Sequence, residues 1–180
     1  MKHNPGEKIV HDPRLTWNTI EVVEKSGGKT VVSKSGHAYI KQKMREVNSI
    51  YGGEMSAHHY FRDNYYSDSG LIPFLLILQL MSEENSKLFD LVGEMVKTYP
   101  CSGEINSTVS NGAEKIKVIK ENYKDGVIDE LDGLSVEYPD WRFNIRISNT
   151  EPLIRLNVES RQNEKLMLEK TEELLKLIRN

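Results

Sequence analysis

Apolar and polar positions alternate most clearly near the C-terminal end of the chain. Trp141, Phe143, Ile145 and Ile147 alternate with Arg142, Asn144 and Arg146, and residues 153–158 nearly repeat the pattern. Two half-buried strands are therefore expected on either side of the polar bend Ser148-Asn149-Thr150-Glu151-Pro152. At the other end, residues 7–11 read as a short strand closed by the turn signal Asp12-Pro13-Arg14. A helix over 19–26 follows, with an N-cap within Thr16-Trp17-Asn18-Thr19 and a stop at Gly27-Gly28. Residues 29–33 read as a second strand. Residues 38–48 read as a helix with Ile40, Met44 and Val47 on one face, and Ile50-Tyr51 closes a third strand before Gly52-Gly53. That rhythm belongs to a parallel α/β layer, in which ligands meet the loops at the carboxyl ends of strands. Arg14, His37 and Glu54 fall in loops of that kind.

Residues 70–81 are apolar almost without interruption and read as a buried core helix, N-capped by Asp68. An amphipathic helix over 86–98 turns Leu88, Leu91, Val92 and Met95 inward. Tyr99-Pro100-Cys101-Ser102-Gly103 breaks the pattern, giving expected domains of 1–99 and 100–180. Beyond the break come a strand over 104–109, a helix over 113–123 and a hairpin turning at Asp132-Gly133. After the two alternating strands, a last helix over 164–178 buries Leu166, Leu174, Leu175 and Ile178. The predicted fold class is α/β plus α+β. The N-terminal domain is an α/β/α layered one with a mostly parallel sheet. The C-terminal domain has two layers, an antiparallel sheet with helices on one face.

Composition narrows the partners. Hydrophobic residues at 38% and charged residues at 28% describe an ordinary globular chain. A net charge of −3, with no Lys/Arg run, offers no field for nucleic acid. Residues 71–81, the longest apolar run, are too short to span a bilayer and are interrupted by Pro73 and Gln79. Cys101 is the single cysteine, so no internal disulfide can form. With no signal peptide at Met1-Lys2-His3-Asn4-Pro5, the expected setting is the reducing cytoplasm.

Two polar clusters could carry chemistry. Around the bend at 148–152, arginine forks, hydroxyls and backbone N–H groups are what a phosphate dianion requires; a plain polar hairpin with solvated arginines fits the same pattern. In Gly52-Gly53-Glu54-Met55-Ser56-Ala57-His58-His59, two glycines allow a tight turn or a close approach to a ligand. There a carboxylate and a hydroxyl could exchange hydrogen bonds with a sugar, or could merely cap the next element. His37 could shuttle a proton near neutrality. His58 and His59 are adjacent and point apart, and no carboxylate pair or cysteine completes a ligand set, so no metal is expected within this chain. No Walker loop, dinucleotide fingerprint, nucleophile elbow or Asp-rich magnesium run is present.

Gly53-Glu54-Met55-Ser56-Ala57-His58 resembles the sugar-binding loop of the α-D-phosphohexomutase family, the phosphomannomutase/phosphoglucomutase enzymes. Arg146-Ile147-Ser148-Asn149-Thr150-Glu151-Pro152, with Arg155, resembles that family's C-terminal phosphate-binding loop. Asp12-Pro13-Arg14-Leu15-Thr16-Trp17 and Lys34-Ser35-Gly36-His37-Ala38 are similar to its third-domain segments, especially in bacterial phosphomannomutases. The resemblance implies the C-terminal part of a four-domain enzyme: most of domain three, lacking a helix that usually precedes its first strand, and all of domain four. Domain one of the family carries a phosphorylated serine and domain two an Asp-rich magnesium loop, so Mg2+ is expected only through the missing domain two.

By position, the resemblance makes Glu54, Ser56 and His58 sugar contacts. It makes Arg146, Ser148, Asn149 and Thr150 phosphate contacts, while Arg155 grips phosphate or braces the loop. Arg14 and His37 lie near the reacting end; Arg14 stands where some relatives have lysine, and an arginine stays charged. Implied partners are mannose or glucose 1- and 6-phosphates and the missing domains one and two. The fragment alone is expected to be inactive, with a non-catalytic sugar-phosphate-binding module as the alternative.

Overall fold

Val10 is wholly buried, because its strand β1 (Lys8–His11) is the middle one of three parallel strands. β2 (Lys29–Val32) pairs with it on one side and β3 (Tyr51–Gly53) on the other, Val10 lying opposite Val31 and Gly52. The computed structural model describes residues 4–148 and 150–180. Contacts divide the chain into two units, the first ending at Met95 and the second running from Val96 to Asn180. In the first, α1 (Trp17–Lys25) and α2 (His37–Val47) link the parallel strands. Ile40 and Met44 of α2 join Val10 and Tyr60 in its core.

The sheet then reverses. β4 (His59–Phe61) and β5 (Ser67–Asp68) add antiparallel, giving the order β2-β1-β3-β4-β5. Strands of two and three residues carry no legible alternation, so neither appears in the sequence pattern. Gly52 and Gly53 lie inside β3 and make no turn. A Cβ on Gly52 would lie 2.6 Å from Met44 Sδ and 2.9 Å from Ile40 Cγ2, and one on Gly53 would lie 2.8 Å from the Tyr51 hydroxyl. The pair makes room for α2 on one side and the Tyr51 ring on the other.

Three expectations are not met. α3 (Leu71–Glu83) forms where predicted, but none of its residues is buried. It is apolar all round, so only cover on every side would bury it, and Phe74, Leu75 and Leu76 remain about half exposed. α4 (Leu88–Thr98) likewise buries no residue; Leu88, Val92 and Met95 are exposed and Leu91 is half-buried. Nor does Asp68 cap α3. Its carboxylate, already in β5, accepts from His58 and His59, and the N–H of Ile72 is instead taken by Ser69 Oγ at 3.2 Å.

The division between units falls inside α4, slightly before the break at Tyr99-Pro100. Thr98 and Pro100 already accept backbone bonds from Gln162 and Ser160 of the second unit. That unit is an antiparallel sheet in the order β6-β10-β9-β8-β7. Its strands are β6 (Ile105–Thr108), β7 (Val127–Asp129), β8 (Leu134–Glu137), β9 (Trp141–Ile147) and β10 (Leu153–Ser160). α5 (Gly112–Asn122) and α6 (Glu164–Arg179) pack together and against it. Phe143, Ile145, Leu156 and Val158 meet Ile119, Met167, Leu174 and Ile178 in one core. Alternation sends the intervening residues to the opposite face of the sheet. No helix of the described residues is long and apolar enough to cross a membrane.

Candidate functional site

The carboxyl ends of β1, β2 and β3 deliver three segments that bond to one another. After β1, Asp12 and Arg14 are both buried. Arg14 donates from Nη2 to Asp12 Oδ2 at 2.6 Å and to Ser56 Oγ at 3.3 Å, and lies 3.7 Å from Glu54 Oε2. After β2, the N–H of Gly36 donates to Glu54 Oε2 at 2.8 Å. After β3, residues 54–58 form a tight turn in which Ala57 N–H donates to Glu54 O and Glu54 N–H to His58 O. Ala57 holds φ at 63°, a left-handed conformation. The Tyr60 hydroxyl donates to Glu54 Oε1 at 2.6 Å.

Glu54 is thus anchored through both oxygens, its side chain only 4% exposed. A carboxylate has about four lone-pair sites, so two bonded oxygens keep capacity to accept from vicinal hydroxyls. Ser56 is exposed at the rim of the turn. Burial, and then the hydrogen bond to Glu54, push the Tyr60 hydroxyl well above its usual range, so it remains a donor at neutral pH.

His58 Nδ1 lies 2.7 Å from Asp68 Oδ2, and Asp68 Oδ1 accepts from the N–H of His59. A carboxylate acceptor favours the Nδ1–H tautomer, which leaves the lone pair on Nε2. His37, the first residue of α2, brings its ring centroid 5.3 Å from that of His58. Burial alone would raise the Asp68 carboxyl, but the His58 and His59 donors bring it below its ordinary value. His59 points elsewhere, with Nδ1 bonded to the Tyr51 hydroxyl at 2.6 Å. Burial lowers its pKa and pushes that of Tyr51 up to about 12. Among the described residues no three His, Cys, Asp or Glu side chains gather to hold a metal ion.

In the second unit, Arg146 of β9 and Arg155 of β10 are direct cross-strand partners, so they share the face opposite the helices. Arg146 Nη2 reaches Glu104 Oε2 and Nη1 reaches Asp132 Oδ2, both at 3.3 Å; Arg155 Nη1 reaches Glu104 Oε1 at the same distance. Their Nε groups are buried without a hydrogen-bond partner among the described residues. Ser148 closes the hairpin through its N–H to Leu153 O at 2.9 Å. Its Oγ lies 3.3 to 3.4 Å from the N–H groups of Glu151 and Thr150 and from the Thr150 hydroxyl. Asn149 lies outside the described residues. Two guanidinium groups, two hydroxyls and the N–H groups of a turn gather at one end of the β9–β10 hairpin. Sequence reading missed Asp12, Tyr60, Asp68, Glu104 and Asp132. Asp12 meets Met55 and Glu104 meets Arg155 from 43 and 51 residues away, and Tyr60, Asp68 and Asp132 act through loops with no regular spacing.

Comparison with known proteins follows the same division. Residues 1–99 match the model of the phosphoglucomutase/phosphomannomutase alpha/beta/alpha domain III, and residues 104–176 match that of the C-terminal domain. A phosphomannomutase of Escherichia coli is 55% identical over 99% of this chain, and one of Vibrio cholerae 53% identical over the same share. The chain spans 40% and 39% of those proteins' lengths. Among solved structures, a phosphoglucomutase/phosphomannomutase family protein of Burkholderia thailandensis superposes with a TM-score of 0.77 at 29% identity. It matches over 97% of this chain and 38% of its own.

Proposed function

Because this chain belongs to the phosphoglucomutase/phosphomannomutase family, we propose that it supplies the sugar contacts and the distal-phosphate contacts of a phosphomannomutase-like enzyme. That enzyme interconverts hexose 1-phosphate and hexose 6-phosphate. The observation that carries the reading is the pair Arg146 and Arg155, aligned across β9 and β10 at the end of the hairpin whose bend carries the hydroxyls of Ser148 and Thr150. Planar forks in that arrangement suit the oxygens of a phosphate.

A phosphate moved between C1 and C6 requires the sugar to be read alike in two orientations while the non-reacting phosphate is held. Arg146, Arg155, Ser148, Thr150 and, by resemblance, Asn149 hold the phosphate. Glu54 accepts from ring hydroxyls with its remaining lone pairs, and Ser56 donates or accepts beside it. His58, its Nδ1 on Asp68, is a further sugar contact; His37, its ring against that of His58, takes the proton of the hydroxyl that receives phosphate. Arg14 supplies positive charge at that end. This is catalysis by positioning and charge neutralisation. The magnesium expected of the family has no ligand set among the described residues. The serine that carries phosphate belongs by resemblance to another domain, so this chain by itself binds without turning over. Contacts to a phosphate screened by water support an affinity no tighter than about millimolar, about −4 kcal/mol.

An amide NMR titration tests the reading, with mannose 1-phosphate and inorganic phosphate added to the chain and to Arg146→Ala. Shifts are expected at Glu54 to Ser56 with the sugar phosphate and at Ser148 to Thr150 with both ligands. In the variant the second set disappears. Silence of both segments at tens of millimolar ligand would overturn the proposal.

A further inference from the structure

Asp12 is a carboxylate only 2% exposed that makes none of the ligand contacts proposed above. A buried charge persists only when its partners saturate it. Asp12 Oδ1 accepts from Arg14 N–H at 2.9 Å. Oδ2 accepts from Arg14 Nε at 3.1 Å, from Arg14 Nη2 at 2.6 Å and from the N–H of Met55 at 2.9 Å. Met55 sits between Glu54 and Ser56, so one carboxylate ties the loop after β1 to the turn after β3.

We propose that Asp12 is a positioning residue, fixing the 54–58 turn and the Arg14 guanidinium in one geometry before ligand arrives. The inference rests on the sugar-binding reading of that turn. Direct anchoring runs through Met55 N–H, and indirect anchoring runs through Arg14, whose Nη2 continues to Ser56 Oγ and towards Glu54. Asp12 touches no ligand itself, being enclosed by the groups it holds. Only an acceptor at both oxygens serves. An asparagine would set its NH2 against the guanidinium and the Met55 N–H in one orientation, or against the Arg14 backbone N–H in the other, donor facing donor either way.

The test compares the chain with Asp12→Asn, using mannose 1-phosphate as probe and amide exchange as a ligand-free readout. In the variant, the response of Glu54 to Ser56 is expected to weaken at least tenfold. Met55 N–H exchange should rise at least tenfold, with Val10 and Ile40 amides as protected as before and the Ser148 to Thr150 response unchanged. A purely structural role would lower protection at Val10 and Ile40 together with Met55. Wild-type binding and wild-type Met55 exchange in Asp12→Asn would overturn the inference.

If Asp12→Asn unfolds the first unit, Arg14→Lys replaces it. Lysine keeps a charge beside Asp12 but replaces the planar fork, whose Nε and Nη2 both bond Asp12, with a single ammonium. Faster Met55 N–H exchange and a weaker response at Glu54 to Ser56 are therefore expected, and unchanged exchange with undiminished binding overturns the inference. If the unmodified chain shows no response at Glu54 to Ser56, the sugar reading has failed. Met55 exchange then decides separately whether Asp12 holds the turn.

Discussion

Arg146 and Arg155 show how the value of a side chain at the phosphate loop depends on its shape as well as its charge. Both guanidinium groups lean on Glu104, and Arg146 also on Asp132, which holds the forks in place without using all their donors. Arg146→Lys keeps the charge and loses the fork. Phosphate binding read at Ser148 and Thr150 should weaken several-fold, about 1 kcal/mol; an unchanged titration would show that charge alone suffices.

Asp12 also predicts a pH effect. Burial raises its carboxyl, but hydrogen bonds and charge from Arg14, with the Met55 N–H, bring it below the ordinary value of 3.8. A group depressed in the folded state stabilises the fold above its unfolded value. That contribution fades as pH falls below about 3.8 and through the folded value, because the unfolded chain then binds more protons. Urea midpoints at pH 7 and pH 3 should therefore fall further for the native chain than for Asp12→Asn, and equal falls would remove Asp12 from the acid response. The local clusters Glu54 to His58 and Arg146 to Thr150 were readable because their residues are adjacent. Asp12 and Glu104 were not. Asp12 and Met55 are 43 residues apart, and Glu104 and Arg155 are 51, and no local pattern encodes a bond of that span.

Among the elements, β9, β10 and α6 were legible because each is long enough to show its period. β4 and β5 were not, being too short to alternate, and the Gly52-Gly53 pair, read as allowing a tight turn or a close approach to a ligand, lies in a strand thinned to admit its neighbours. A side chain at Gly52 would meet Ile40 and Met44, both without exposed surface. Gly52→Ala should cost about 1–3 kcal/mol by overpacking, measured as a lower urea midpoint; a loss within error would mean that Met44 moves aside freely. Ala57 presents the opposite case, a side chain in a left-handed backbone at φ 63°. Ala57→Gly removes a strain of about 1–2 kcal/mol and restores some unfolded-state entropy. The net expectation is a gain of up to about 1 kcal/mol with the 54–58 turn retained. A clear loss of stability would show that the methyl group packs usefully.

For the whole molecule, the feature that composition reads correctly and environment does not is α3. Its apolar character identified a helix, but the same character led to an expectation of burial that the structure does not meet. Leu75, Leu76, Ile77 and Leu78 are 39–54% exposed. Four consecutive residues at 100° each sweep most of a helix circumference, so the exposed surface surrounds the helix. Leu71, Phe74 and Leu80 extend it, and Phe89 of α4 is 83% exposed. A fully buried leucine is worth roughly 1.5–3 kcal/mol, so this surface gives the chain a strong reason to associate. The expected result in sedimentation is a mass that rises with protein concentration and more steeply in sulfate, which strengthens apolar burial, together with binding of an apolar dye. Leu76→Glu with Leu80→Glu puts charges one turn apart on α3 and should lower both the association and the dye signal, leaving the hexose-phosphate titration at Glu54 to Ser56 unchanged. A monomer at hundreds of micromolar that binds no dye would mean that α3 finds cover within its own chain in solution.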